Sequence, residues 1–114
     1  MIELFVKEVT ESQRAISAAD GEKIFQKLDD AFSKEEQVAL DFTDIKLTIT
    51  AFLNASIGKL YSKYSSEQIR NLLQIRNLDK DELPLLKLVV DRAKMRFKKE
   101  YPTGLDKIDL VNED

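Results

Sequence analysis

The sequence contains no cysteine, no histidine and no tryptophan among its 114 residues. Without cysteine there are no disulfides, thiolate metal sites or cysteine nucleophiles. Without histidine a Ser-His-Asp triad, an imidazole base and a His-ligated zinc site are all excluded. The three glycines, Gly21, Gly58 and Gly104, stand too far apart for a Walker loop or a dinucleotide fingerprint. Apolar runs extend for only a few residues, far short of the roughly 18 a membrane span needs. Met1-Ile2-Glu3-Leu4 has neither the basic start nor the apolar stretch of a signal peptide. A cytoplasmic protein without catalysis, cofactor, metal or membrane contact is expected.

What the sequence does contain is enough apolar material for one core. Leu, Ile, Val and Phe fill roughly a third of the positions, above the level of about 20% below which chains stay disordered. The length fits a single domain, here expected over residues 1–101 with a polar, acidic tail over 102–114. Eighteen Lys and Arg against 21 Asp and Glu leave a net charge of -3. Lys87, Arg92, Lys94, Arg96, Lys98 and Lys99 nonetheless gather in one stretch. They read either as a solvated helix face with cations near its C-terminal end or as a nucleic-acid footprint. The stretch holds a single aromatic residue, Phe97, too few to interleave for base stacking, so nucleic acid is not the expected partner.

Patterning alternates strand and helix. Ile2, Leu4 and Val6 recur at period two and predict a strand over 2–9. Ala15-Ile16 suits a short second strand. Ile24, Phe25, Leu28, Ala31 and Phe32 mark one helix face, with Asp20 as the expected N-cap. Gln37 to Phe42 reads as a buried central strand, followed by a polar loop over 43–50. Leu53, Ile57, Leu60, Tyr61 and Tyr64 predict a helix over 51–64, with Thr50 at the N-cap. Ser65 and Gln68 form a capping-box pattern, and Leu72 to Ile75 suits a further strand. Leu83, Leu86, Val90, Ala93 and Phe97 predict a last helix over about 82–100, with Pro84 tolerated in its first turn. The fold class is α/β: a mixed or mostly parallel sheet covered by helices. Leu40, Ile24, Leu28, Leu53, Leu60, Leu86 and Val90 are the expected core.

Leu40-Asp41-Phe42, then Ile49-Thr50-Ala51-Phe52, Asn54 and Gly58-Lys59-Leu60, together resemble the STAS-like family of bacterial domains of unknown function. Ser17 and Gly21 ahead of Ile24, and Gln74-Ile75-Arg76-Asn77-Leu78, match further parts of that pattern; the likeness covers roughly 15–98. Ala18, Ala51 and Ala55 depart from it, standing where the family often has Arg, Ser and Glu. The resemblance implies a regulatory interaction module like an anti-sigma-factor antagonist, partnered by a histidine-kinase-like ATPase that supplies the ATP site. Antagonist STAS domains carry a phosphorylated Ser or Thr at this strand-to-helix junction, which makes Thr50 the candidate phosphoacceptor.

The expected contact surface is the 43–50 loop and the exposed side of the next helix: Asp44, Thr48, Thr50, Phe52, Asn54 and Lys59. Each has a plainer reading. Thr50 could serve only as a cap, and Thr48 and Ser56 are further hydroxyls nearby. Phe52, off the apolar stripe, either packs on a neighbouring helix or marks a contact. Asp41 and Asp44 form a carboxylate pair at a strand end, suited to acid/base or cation chemistry or simply to accepting loop amides. Two other functions remain open: a nucleotide or small anion held at the start of the 51–64 helix, and nucleic-acid binding through the basic 87–99 stretch.

Overall fold

Val38, Ala39 and Leu40 are buried because their strand lies in the middle of a sheet. In the computed structural model, which describes residues 1–98, β1 (Ile2–Phe5) and β3 (Val38–Asp41) pair in parallel, as do β3 and β5 (Leu73–Arg76). Ile2, Val38 and Leu73 stand opposite one another, then Leu4, Leu40 and Ile75. Side chains alternate across a strand, so these residues share the apolar face. The opposite face carries Glu3, Gln74 and Arg76, with Arg76 ion-paired to Glu3 at 3.5 Å and hydrogen-bonded to Gln74 at 3.0 Å. A separate parallel pair joins β2 (Arg14–Ala15) to β4 (Leu47–Thr48). The α/β class and the central strand are as expected, and both sheets are parallel.

Several boundaries differ, each for a local reason. The first strand stops at Phe5, and α1 (Val6–Thr10) follows. Val6 extends the strand alternation by coincidence; its partner is Val9, three residues on, which packs on the core beside it. The helix α2 (Ala18–Ser33) is capped by Ser17, whose Oγ accepts the Asp20 N–H at 3.0 Å. Asp20 therefore lies in the first turn, where its charge suits the helix dipole. The 43–50 loop contains β4, and Ile49 continues it in extended form, donating its N–H to the Ala15 carbonyl at 3.1 Å. That pairing makes Ile49 the N-cap of α3 (Thr50–Leu53), so Thr50 is the first helical residue and caps nothing.

The helix then widens into a π turn over Asn54–Gly58 and ends in turns by 61–63. The Ser65–Gln68 capping box opens α4 (Ser66–Leu72) as expected. Asp79 caps a short 3₁₀ turn ahead of α5 (Leu83–Ala93), with Pro84 in its first turn. A second π turn, Lys94–Lys98, follows. Its extra residue shifts the helical register, and Phe97, expected on the core face, is exposed. The expected tail over 102–114 and the end of the last helix beyond Lys98 lie outside the described residues.

Every residue of the expected core is buried. Phe32 meets Tyr64 edge-on at 5.4 Å between ring centroids, and Phe42 meets Phe52 at 6.4 Å. At Gly21 the backbones of α2 and α3 approach closely. A Cβ there would lie 2.5 Å from the Phe52 carbonyl oxygen and 2.8 Å from the Ala55 Cβ. Gly21→Ala should therefore push α2 and α3 apart and cost about 1–3 kcal/mol, the usual range for overpacking, as read from urea unfolding midpoints.

Candidate functional site

Two places hold the residues singled out by sequence: the carboxyl end of the three-stranded sheet, and the junction where β4 becomes α3. At the sheet end, Asp41 Oδ1 accepts the Thr43 N–H at 2.9 Å, the Thr43 hydroxyl at 2.6 Å and the Asn77 amide at 2.9 Å. Asn77 also donates to the Thr43 hydroxyl at 3.1 Å. Asn77 and Asp44 both adopt left-handed backbone, with φ of 59 and 64 degrees, which short polar side chains tolerate best. The cluster clips the end of β3 to the end of β5, while the Phe42 N–H donates to the Arg76 carbonyl at 2.8 Å.

Partial burial pushes the Asp41 carboxyl up, but the Thr43 hydroxyl, the Asn77 amide, the Thr43 N–H and the Arg76 charge together hold it below the usual aspartate value. Asp44 does not join this group. It is exposed and ion-paired to Lys7 at 3.5 Å, outside the hydrogen bonds that hold Asp41. Among the described residues no three His, Cys, Asp or Glu side chains gather as a metal ion would require.

At the junction the candidates separate. Thr48 and Phe52 are buried, which removes both from any contact surface. Phe52 lies off the apolar stripe in a helical wheel, yet it packs on Phe42, because α3 is covered on two sides. Thr48 Oγ1 has no hydrogen-bond partner among the described residues. Thr50 is half-buried and Asn54 exposed. Lys59 Nζ is held by both Glu22 oxygens, at 2.7 and 2.9 Å, and sits 4.6 Å above the Phe25 ring. That hydrogen bond holds Glu22 below the usual carboxylate range. Ser56 is buried and donates to the Phe52 carbonyl at 2.8 Å. Tyr64 donates to Asp29, and burial together with that carboxylate pushes the phenol up to about 12.

Sequence reasoning missed the outer face of the β2–β4 pair. Leu47 and Ile49 are two residues apart on one extended segment and so point the same way. They are 43% and 37% exposed, and Ile16, one residue past β2, is 37% exposed. Arg14 pairs with Leu47 and Ala15 with Thr48, so the continuing register brings Ile16 opposite Ile49. The signal was available in the alternation Leu47-Thr48-Ile49, which the surrounding polar residues concealed.

A family model for the STAS-like domain of unknown function (DUF4325) matches residues 20–83, more than half of the chain. The protein belongs to this STAS-like family. No curated protein and no solved structure matches it. The STAS-like match runs from the first turn of α2 to the start of α5, and so takes in the Asp41 clip and the β4–α3 junction. Ala18, Ala51 and Ala55, the positions departing from the resemblance, come together in this STAS-like chain on one cleft beside α5.

Two measurements check these assignments. A carboxylate whose folded pKa is depressed contributes stability that is full above its unfolded value of about 3.9 and is lost as pH falls through the lower folded value. Asp41→Asn should therefore lower stability by about 1 kcal/mol at pH 7 and flatten the acid limb of a stability-versus-pH curve. Thr48→Val keeps the shape and removes an unpartnered hydroxyl. It should leave the melting temperature unchanged or raise it, the opposite of what a bonded hydroxyl would give.

Proposed function

We propose that the protein is a cytoplasmic, non-catalytic interaction module that docks a histidine-kinase-like ATPase through the outer face of β2–β4 and the start of α3. The observation that carries this reading is the exposed apolar row of Ile16, Leu47 and Ile49. Apolar side chains gathered on one short sheet, bordered by Arg14 and Lys46, have the composition of an interface centre with a charged rim. The choice of partner follows the resemblance to anti-sigma-factor antagonists, the matched STAS-like family being itself of unknown function. The side-chain inventory supports the absence of catalysis: there is no imidazole or thiol to act as base or nucleophile, and three donors occupy the Asp41 oxygen that faces the loop. Among the described residues no helix is long and apolar enough to cross a membrane.

Within this reading the contact surface is revised from the sequence expectation. Thr48 and Phe52 leave it, while Ile16, Leu47 and Ile49 enter it beside Thr50. A phosphate on Thr50 would bring about -1.5 to -2 charges into the first turn of α3, where the helix dipole accepts it and an apolar partner face would not.

The test is calorimetric titration of a purified histidine-kinase-like ATPase domain from the source organism into the full chain. The wild type should bind. The double variant Leu47→Glu, Ile49→Glu should lose binding while keeping its melting temperature, since both side chains already face water. Undiminished affinity in that variant would overturn the docking face. Thr50→Glu reads the switch separately: weakened binding supports a phosphoacceptor, and equal affinity confines Thr50 to the helix start.

A further inference from the structure

Between α2, the π turn of residues 54–58 and α5 lies an open cleft of about 410 Å³, within the size range of small-molecule sites. Its floor is made of small residues: Ala51, Ala55, Gly58 and Ala93. Gly58 lets the helices approach closely at one level, where an added Cβ would lie 3.2 Å from Val89 Cγ1. Beyond that contact the alanines leave the space open.

The walls are cationic. Arg92 and Arg96 both line the cleft, four residues apart along the helix. Neither has a carboxylate partner among the described residues, and no described Asp or Glu lines the cleft. Two like charges at this spacing repel each other and weaken a helix, and no carboxylate among the described residues offsets that repulsion. Asn54 adds an exposed amide, and Phe97, 40% exposed, adds an aromatic edge next to Arg96, whose guanidinium carbon is 5.8 Å from the ring.

A second observation points to the same place. π turns are rare in proteins and concentrate at functional sites. The two among the described residues, Asn54–Gly58 and Lys94–Lys98, both contribute to this one cleft, through Asn54, Ala55 and Gly58 on one side and Arg96 and Phe97 on the other. The second turn is also what carries Phe97 off the core face and into the cleft wall.

We propose that this cleft binds a small organic phosphate. The two guanidiniums grip the phosphate, and the organic part lies over the alanine floor against Phe97. Guanidinium forks match phosphate oxygens in pairs, and a dianion with three terminal oxygens can satisfy both arginines where a single carboxylate satisfies one. The apolar floor and the aromatic wall have no use for bare phosphate. This site adjoins the proposed docking surface at Ala51, in the first turn of α3, and does not rest on the partner reading.

The experiment titrates the full chain with phenyl phosphate, inorganic phosphate and benzoate, followed by calorimetry and by the amide NMR shifts of Asn54, Ala55 and Gly58. Phenyl phosphate should bind at least tenfold tighter than either of the others, move those amides and weaken with added salt. Arg92→Gln and Arg96→Gln should each lower its affinity about tenfold. Phe97→Ala should lower affinity for phenyl phosphate but not for inorganic phosphate, and Ala51→Leu should fill the cleft and abolish binding. All four positions border solvent, and the wild-type NMR shifts test the site without any variant. The proposal is overturned by equal affinity for phenyl and inorganic phosphate, by affinity retained in the arginine variants, by shifts elsewhere than the cleft, or by no binding at millimolar concentration.

Discussion

The close approach of Gly21 to the Phe52 carbonyl fixes the relation of α2 to α3, and much of the architecture depends on it. A backbone-to-backbone contact leaves no side chain to yield, so the two helices have one spacing available. Phe52 is thereby held against Phe42 at the end of the central strand, which locks the helical layer to the sheet. The same carbonyl accepts the Ser56 hydroxyl, giving it a partner inside a π turn where the regular helical ladder is disturbed. Lys59 then bridges back from the far end of that turn to Glu22, one residue after Gly21 in sequence. Glycine contact, serine bond and ion pair thus bracket the widened turn on three sides.

The sheet is held differently. Parallel sheets are ordinarily covered on both faces, whereas here the face carrying Glu3, Gln74 and Arg76 is polar and the apolar face alone meets the core. Three strands of four residues give little ladder to resist shear. The Asp41 clip compensates at the point where β3 and β5 diverge, joining both strand ends and the intervening loop through one carboxylate oxygen. The carboxylate stands at a strand end, where α/β folds tend to place their chemistry, and there its Oδ1 ties the loop and the β5 end to β3.

Those parts of the fold that follow from repeating side-chain patterns were legible in the sequence. The buried central strand, the α2 stripe from Ile24 to Phe32, the Ser65–Gln68 capping box and the core leucines all stand where periodicity places them. Legibility failed where tertiary pairing overrides local pattern. Thr50 has the residue type of an N-cap, yet Ile49 takes that place because its N–H is held by the Ala15 carbonyl. Phe52 lies off the apolar stripe, yet a second packing surface covers it. Asp44 and Asp41 are three residues apart, yet the left-handed turn at Asp44 sends its carboxylate to Lys7. Of the six residues expected on the contact surface, the structure buries two, Thr48 and Phe52. Asn54 and Lys59 line the cleft beside α5, Asn54 exposed and Lys59 tied to Glu22.

The π turns mark the limit of reading function from spacing. A regular helix through 83–100 would carry Phe97 on the stripe of Leu86, Val90 and Ala93, and the basic residues would then form an even row facing water. With one extra residue in the turn, Phe97 leaves the core and Arg96 stands beside it over the cleft. Lys87, earlier on the same helix, is tied to Asp91 at 2.7 Å. The basic stretch is therefore not one surface: part is neutralised along the helix and part is aimed at a pocket floored with alanine. A long polyanion would need these cations on one continuous surface. The observed division favours a ligand small enough to meet two guanidiniums at once.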